Sequence, residues 1–414
     1  MKKILYLLFA AFTAFSCAQQ NGVKVTVANS SSLDRENEMV EVSMTEVSNK
    51  LNLADTAQIV VLDENNRQVP YQVTYDDMLI FPANVKANAQ AVYTVTTGTP
   101  MVVDTKACGK YYPERVDDVA WENDRVAFRT YGPALQASGE RAFGYDVWTK
   151  CVDEPVVEAR YASELNPETL AKIDSLKKAG KKDESKELYR SVSYHVDHGN
   201  GLDCYKVGPT LGGGTAALMV DNEIIYPYCY KEQEILDNGP LRFTVKLVYN
   251  PLTVKGDSNV VETRVISLDE GSQLNKTVVS YTNTNEVLPI AAGIVLHDPD
   301  GGKNAANAEQ GYIAYADPTD NVNNNNGTIY VGAVFPANVK EAKTVFFPEQ
   351  EKKELRGGAD GHVLAISDYE PSSEFTYYWG AGWSKYGFNS FEEWTKYLEN
   401  YAAKVRAPLT VTMQ

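Results

Sequence analysis

Two histidines, a tyrosine and a lysine stand close together in the stretch of residues 194–208, the richest concentration of reactive side chains in the sequence. These residues are His195, His198, Tyr205 and Lys206, set among glycines. Together they supply a proton acceptor, a proton donor and a positive charge at one place. We therefore predict a site of acid and base catalysis here. The structural alternative is that these side chains only satisfy one another around a turn.

A second group of candidate residues lies in an extended segment further toward the N-terminus. Alternation along residues 124–131 places Arg129 and Tyr131 on the same face of a strand. A guanidinium group pairs bidentately with carboxylate, and sugar-binding pockets have aromatic walls. Arg141 and Trp148 follow, so the segment predicts a site for a carboxylated sugar. The alternative is an ion pair on an exposed sheet face.

We predict that these two groups meet in one cleft and that the reaction is a lyase-type β-elimination or a hydrolysis. Elimination requires charge neutralisation at the uronate carboxylate and a base near the acidic sugar proton. The predicted catalytic residues are His195, His198, Tyr205 and Arg129. The predicted substrate-binding residues are Arg141, Tyr131, Trp148, Lys206, His297 and Trp379.

No cofactor is predicted, and calcium binding near His297 is the one metal alternative. Asp298 and Asp300 beside His297 resemble the start of a calcium loop but lack the remaining acids of an EF-hand. A plain turn is the favoured interpretation. The glycines at 212–214 lack the Lys-Ser/Thr of a phosphate-binding loop, and a close backbone approach explains them better.

The elements that position these residues are mainly β-strands. Residues 23–95 alternate between apolar and polar positions in short runs, which is typical of half-buried antiparallel strands. From residue 110 the strands become longer. The predicted fold is mainly β: an immunoglobulin-like β-sandwich over residues 17–105, then a larger antiparallel supersandwich over residues 106–414.

Two helices interrupt this pattern. Asn166, with a proline at the first helical position, predicts the start of a short helical insertion. Ser390, followed three residues later by Glu393, predicts a second helix through a capping box. A last strand is predicted at residues 409–412.

The N-terminus has the features of a lipoprotein signal peptide. Lys2 and Lys3 precede an apolar run over residues 4–15, too short to span a membrane. Ser16 and Cys17 follow. We predict removal of residues 1–16, acylation of Cys17 and a cell-envelope location, periplasmic or at the outer membrane.

Composition limits the partners. A net charge of -16 disfavours nucleic acid, so the expected partner is an acidic oligosaccharide or polysaccharide, with membrane contact through the lipid alone. Four further cysteines, Cys108, Cys151, Cys204 and Cys229, match no zinc-binding spacing. They predict either one or two disulfides or buried free thiols.

Several runs resemble a family of exported proteins of unknown function that is common in Bacteroidota. They are residues 126–135, 194–199, 202–208 and 238–242. The resemblance covers residue 110 to the C-terminus. It implies an association with the degradation of pectin and other uronic-acid polysaccharides, and a supersandwich like that of galactose mutarotase and several polysaccharide lyases. It supplies no catalytic residues.

Two classes of function follow. The first is an enzyme that cleaves an acidic, uronate-containing glycan. The second is a glycan-binding lipoprotein of a polysaccharide-utilisation system, which uses the same cleft without turnover.

Overall fold

The computed structural model describes residues 22–54, 56–320 and 322–414. The predicted leader, including Cys17, lies outside the described residues. Strands make up 44% and helices 18% of the structure, so the predicted mainly β fold is confirmed. Within the described ranges, no helix combines the length and apolar character needed to cross a membrane.

The first module is built from short strands with alternating burial. Val23, Val25 and Val27 are buried, whereas Lys24 between them is exposed, as expected of a strand with one face on a core. Its elements are β1 (Val23–Asn29), β2 (Arg35–Ser43), α1 (Met44–Leu51), β3 (Ile59–Leu62), β4 (Gln68–Val69), β5 (Gln72–Val73), β6 (Met78–Val85) and β7 (Ala89–Thr97).

The middle of the chain combines a small sheet with the helical insertion. Asn166 caps one helix by accepting a hydrogen bond from the Thr169 amide, with Pro167 at the first position, so this predicted helix start is confirmed. The elements are β8 (Cys108–Tyr112), β9 (Asp118–Glu122), β10 (Val126–Thr130), α2 (Pro133–Ala137), β11 (Asp146–Thr149), α3 (Val157–Glu164), α4 (Pro167–Lys178) and α5 (Lys182–Arg190).

Longer strands fill the remainder of the chain. The helix predicted after Ser390 is present, and the Ser390 side chain accepts from the Glu393 amide. The elements are β12 (Gly213–Val220), β13 (Glu223–Ile224), β14 (Tyr230–Asn238), β15 (Arg242–Tyr249), β16 (Leu252–Val254), β17 (Asp257–Asp269), β18 (Leu274–Thr282), β19 (Leu288–Leu296), β20 (Asn304–Asn307), β21 (Tyr312–Asp317), β22 (Ile329–Val334), β23 (Glu341–Phe346), α6 (Glu349–Glu354), β24 (Gly361–Tyr369), β25 (Phe375–Trp383), α7 (Phe391–Arg406) and β26 (Thr410–Met413).

The strands form five antiparallel sheets in the described ranges. The first module pairs the sheet β26-β1-β7-β3-β4 with the sheet β2-β6-β5 around one core. A nine-stranded sheet runs β14-β15-β17-β18-β25-β22-β21-β20, with β16 on β17. It shares the main core with the sheets β13-β12-β19-β24-β23 and β11-β10-β9-β8. The last strand, β26, pairs with β1 in the first module. The sequence had instead predicted this strand within the larger supersandwich of residues 106–414.

The four described cysteines form no disulfide with one another. Cys108 and Cys151 are half-buried, whereas Cys204 and Cys229 are buried. Of the two alternatives that the sequence left open, the structure has the free thiols.

Candidate functional site

An open cleft of about 730 Å³ lies where the edge of the small sheet β11-β10-β9-β8 meets four loops. The loops supply residues 139–142, His195, Asp203, residues 205–209 and Asp320 to its lining, and the end of α6 with the loop after it supplies residues 353–355 and Gly357. Six of the residues singled out from the sequence line this cleft: Arg129, Tyr131, Arg141, His195, Tyr205 and Lys206. The structure therefore brings the two sequence clusters to one place.

A close backbone approach holds the loop before β12 near this cleft. Gly212 has a φ of 55°, and a Cβ at this position would lie 2.5 Å from the Tyr145 carbonyl oxygen. Gly213 in turn donates its amide to that same oxygen. Only glycine accommodates this contact without strain, as the sequence predicted for the 212–214 run.

The floor of the cleft contains one buried guanidinium surrounded by carboxylates. Arg129, at the end of β10, is 4% exposed; its Nε donates to Asp146 Oδ2 at 2.8 Å and its Nη2 to Asp203 Oδ2 at 2.8 Å. A third carboxylate oxygen, on Asp118, lies 3.5 Å from Nη1. Tyr131 accepts from Nη2 at 3.1 Å and donates to Asp146. We call Arg129 and these three aspartates the Arg129 cluster.

Carboxylates outnumber cations in the Arg129 cluster, and two of its buried carboxyl groups, Asp203 and Asp118, have raised pKa values. Burial raises the pKa of Asp203 to about 7, with a further contribution from the Asp146 charge and an opposing one from Arg129. Burial also raises the pKa of Asp118 to about 6, against the opposing charges of Arg129 and Arg115. A carboxyl group that exchanges its proton near neutral pH, at the floor of a cleft, has the property required of an acid or base catalyst.

Arg129 itself is engaged by this cluster, which corrects its predicted role. We expected its guanidinium to neutralise a substrate carboxylate, but it is buried and already paired with aspartates from β9, β11 and the 195–209 loop. Other cations in the lining remain for that task. Arg141 and Lys206 are exposed, and Arg115 is half-buried, with its Nε donating to the Tyr194 hydroxyl at 3.0 Å.

His195 stands beside Asp203 at the side of the cleft. Its Nδ1 lies 3.1 Å from the Asp203 carbonyl oxygen and 3.6 Å from Oδ2 of the same residue, and its side chain is 43% exposed. Donation from Nδ1 to that carbonyl oxygen leaves Nε2 unprotonated and able to accept a proton. The imidazole is thus oriented as a base.

Glu164, at the end of α3, fixes the loop that carries His195. Its carboxylate accepts from the Tyr194 amide at 3.0 Å, from the Ser193 hydroxyl at 2.8 Å and from the Tyr189 hydroxyl at 3.2 Å. Helix α3, which was not predicted and ends before the predicted helix start at Asn166, therefore positions a cleft residue.

Other predicted site residues lie away from the lining. His198 makes a hydrogen bond between its Nε2 and the Ser193 carbonyl oxygen at 3.0 Å, and it does not line the cleft. Trp148 is 1% exposed, stacks on Tyr194 and donates to Asp146 beneath the cluster. Trp379 is fully buried and stacks on Tyr145 at 3.9 Å. The large apolar area of both tryptophans is used in the core, so neither provides a sugar platform.

Tyr205 and His297 also differ from expectation. The Tyr205 ring contributes to the cleft lining, but its hydroxyl is buried beneath the floor. His297 lies behind it, with Nδ1 2.7 Å from Asp317 Oδ2. In this arrangement, neither the Tyr205 hydroxyl nor the His297 imidazole faces a ligand in the cleft.

The calcium alternative has little support in the local geometry. Asp298 accepts from the Tyr315 hydroxyl at 2.8 Å, and Asp300 accepts from the Gly302 amide at 3.1 Å within its turn. Among the residues that the structure describes, no group of three His, Cys, Asp or Glu side chains is arranged to hold a metal ion.

The sequence interpretation did not select Asp118, Asp146, Asp203 or Arg115. A signal existed: Asp118 and Asp146 each stand directly before an apolar run, and every residue of both strands is buried. A buried carboxylate requires a cation or hydrogen-bond donors, so these positions imply a partner such as Arg129. The sequence does not reveal which elements supply it.

Two smaller cavities, of about 460 and 310 Å³, lie between the first module and the rest of the chain. Their arginines are largely paired, as in Arg67 with Asp63 and Arg242 with Glu41 and Asp269. They lack the surplus of buried carboxylates found in the Arg129 cluster.

Comparison with known proteins gives a family and a full-length relative. A family profile described as "Domain of unknown function (DUF4861)" matches residues 27–411. "Uncharacterized protein P7" of Formosa agariphila is 27% identical over 435 residues and is covered in full, as is this chain.

Two solved structures are similar over 95% of this chain at 8% identity and a TM-score of 0.45. One is an alpha-mannosidase from Enterococcus faecalis V583, and the other is a protein in glycosyl hydrolase family 38 from Enterococcus faecalis. This chain spans about half of their length, at 46% and 47% respectively.

Proposed function

We propose that this chain, which belongs to the DUF4861 family, is a carbohydrate-active enzyme that acts on an acidic, uronate-containing glycan in the cleft at the Arg129 cluster. The observation that carries the proposal is the pairing of His195 with Asp203. One is an imidazole with Nδ1 held by a carbonyl oxygen, and the other is a buried carboxyl group with its pKa raised to about 7. They supply a base and an acid side by side.

Lyase-type β-elimination is the reaction that these groups support best. His195 Nε2 takes the proton on the carbon next to the uronate carboxylate, and the C–H electron pair forms the new C=C bond. The bond to the leaving glycosidic oxygen breaks, and that oxygen takes the proton of Asp203. Arg115, Arg141 and Lys206 neutralise the substrate carboxylate, which makes the C–H proton more acidic.

Hydrolysis is the second reaction class, with Asp203 as the proton donor. The two reactions differ in product, because only elimination creates a C=C bond, which absorbs ultraviolet light. A non-catalytic glycan-binding role is the alternative function. It is favoured by one contact: Asp203 Oδ2 is 2.8 Å from Arg129 Nη2, an ion pair that holds this carboxyl in place.

The test is a screen of the purified protein against uronate oligosaccharides and polysaccharides, with product formation and binding measured in parallel. We expect an ultraviolet-absorbing product, and loss of turnover by 10²-fold or more in His195→Ala and Asp203→Asn. Glu168→Gln, on the exposed face of α4, is the control and should keep full activity. Saturable binding without product would support the binding protein, and absence of both would exclude an acidic-glycan function.

The cellular context is part of the same proposal. We propose that Cys17 is acylated and that the protein is an envelope lipoprotein of a system that degrades uronic-acid polysaccharides such as pectin. The signal-like N-terminus supports this. Labelling with a palmitate analogue should mark the wild type and leave Cys17→Ala unmarked; equal labelling of both would rule out the anchor.

A further inference from the structure

Three buried polar atoms behind the cleft floor have no hydrogen-bond partner among the described residues. They are the Tyr205 hydroxyl, Nε2 of His297 and the Thr319 hydroxyl. A buried polar atom without a partner costs about 1–3 kcal/mol, and nearly all such atoms in folded proteins are paired with protein or with ordered water. Three of them in one region therefore require an explanation.

The three atoms belong to a connected group. His297 Nδ1 lies 2.7 Å from Oδ2 of the buried Asp317, and the Thr319 amide donates to Oδ1 of the same carboxylate at 2.8 Å. The carboxylate holds the proton on Nδ1, so that Nε2 is an acceptor. Asp317 thus orients His297 and Thr319 together.

Tyr205 joins this group from the cleft side. Its ring centre is 6.2 Å from that of His297, with the two planes at 72°. The phenol is a donor and Nε2 is an acceptor, yet no direct hydrogen bond joins them. A polar pair separated in this way is commonly bridged by a water molecule, and a buried water typically makes about three hydrogen bonds.

We propose that one buried water joins Tyr205, His297 and Thr319, so that a continuous hydrogen-bonded chain runs from Asp317 to the underside of the cleft floor. The water accepts from the Tyr205 hydroxyl and donates to His297 Nε2 and to the Thr319 hydroxyl oxygen. Asp317, His297 and Thr319 are then positioning residues. They hold the Tyr205 ring, two residues after Asp203, in the cleft lining.

The inference rests on the proposed function for its catalytic consequence alone. With the Tyr205 ring fixed, the 203–205 segment is fixed, and with it the carboxyl group of Asp203 relative to His195. Loss of the water would loosen the floor and reduce turnover or glycan affinity without removing a group that touches the substrate.

The sign of a stability change tests the water site. Tyr205→Phe removes only the hydroxyl oxygen. If the hydroxyl is unpaired, its removal leaves stability unchanged or raises it, whereas removal of a hydroxyl bonded to a buried water lowers stability. We expect a lower urea midpoint for Tyr205→Phe and for Thr319→Val. A midpoint equal to or above that of the wild type in both variants would overturn the proposal.

A spectroscopic measurement tests the connection to His297. The chain has four histidines, so ¹⁵N-histidine labelling with single His variants assigns every ring nitrogen. We expect Tyr205→Phe to shift the His297 Nε2 resonance. Nε2 of His362, which accepts from the Leu211 amide, should not move and serves as the control. An unchanged His297 resonance in Tyr205→Phe would overturn the proposal.

The proposed glycan function and the proposed water site are tested by different measurements, so either can be overturned without the other. Binding and turnover of the uronate oligosaccharides in the screen test the function of the cleft, whereas the urea midpoint and the His297 resonance report on the water site without any ligand. A shifted resonance in a protein that binds no glycan would keep the water and exclude the glycan.

Discussion

Two buried arginines in this protein have opposite surroundings. Arg264, on β17, pairs with one carboxylate, Glu262, and both side chains are fully buried. Tyr145 accepts from its Nη1 at 3.1 Å, and the Tyr249 ring lies 4.2 Å from its guanidinium carbon. Arg129 instead serves three aspartates at the floor of an open cleft.

The difference lies in the balance of charge. One cation with one anion, closed in by aromatic rings, has no group left to exchange protons with a ligand, so the Arg264 pair is structural. One cation with three carboxylates leaves a surplus of negative charge; burial raises the pKa values of Asp118 and Asp203, and the Asp146 charge adds to this rise. A surplus of like charge beside solvent therefore distinguishes a candidate reactive centre from a structural ion pair.

The largest expected effect is a loss of stability when the buried ion pair between Arg264 and Glu262 is broken. Arg264→Met leaves Glu262 buried without its cation, which should lower the free energy of unfolding by about 3–5 kcal/mol, as measured by urea denaturation. The double variant Arg264→Met/Glu262→Leu should recover much of the loss. A single variant with wild-type stability would contradict a buried, charged pair.

The second prediction concerns the Arg129 cluster and is tested by the pH dependence of stability in Asp203→Asn. The native pKa of Asp203 is raised, so its contribution to stability is complete below the unfolded-state pKa of about 3.9 and disappears as pH rises through about 7. Wild-type stability should therefore fall between about pH 4 and pH 7, the range bounded by these two pKa values, and Asp203→Asn should flatten this fall.

Urea midpoints across that range give the measurement. Asp118 continues to titrate in the variant, with its pKa of about 6, so some of the slope remains. Asp300→Asn, at an exposed turn, is the matched control with the wild-type profile. A full wild-type slope in Asp203→Asn would show that Asp203 does not hold its proton in the folded state.

An intermediate effect is expected at Glu164, which fixes the His195 loop. Glu164→Ala leaves three donors without their acceptor and should destabilise the protein by about 1–2 kcal/mol. Turnover should fall while its pH optimum shifts, because His195 loses its fixed position beside Asp203. Glu164→Gln keeps an acceptor oxygen and should restore part of both properties. Wild-type kinetics in Glu164→Ala would exclude a positioning role.

The smallest effect on stability is expected at Arg141. It is an exposed cation of the cleft, and its substitution by Ala should change the free energy of unfolding by less than about 0.5 kcal/mol. Affinity for uronate oligosaccharides should fall about tenfold, with no change for neutral ones. Equal losses for charged and neutral glycans would mean that Arg141 does not recognise a carboxylate.

Local features of the fold were predictable from the sequence, and long-range ones were not. Asn166 and Ser390 cap their helices through residues three positions away, so a short window contains the whole interaction. Alternation also placed Arg129 and Tyr131 on one face, and they are hydrogen-bonded. The partners of Arg129 come from three separate elements, which no local pattern specifies.

Residue type alone did not predict the role of a side chain when that role depends on whether the side chain is buried. Trp148 and Trp379 have the chemistry of a sugar platform, but whether a tryptophan faces solvent or the core depends on which strands pack against it. His198 illustrates the same point: it stands three residues from His195, yet the turn between them directs its ring to the Ser193 carbonyl.

The pairing of β26 with β1 has a consequence for biosynthesis. Lys24 and Gln414 exchange two backbone hydrogen bonds, at 3.1 and 2.9 Å, across almost the whole described sequence. Domains generally fold in order as the chain emerges from the ribosome, but here the first sheet lacks an edge strand until residues 410–413 have been made. The module that contains β1 is thus completed only after the larger sheets have been synthesised, and until then β1 exposes an unpaired edge that favours intermolecular strand pairing.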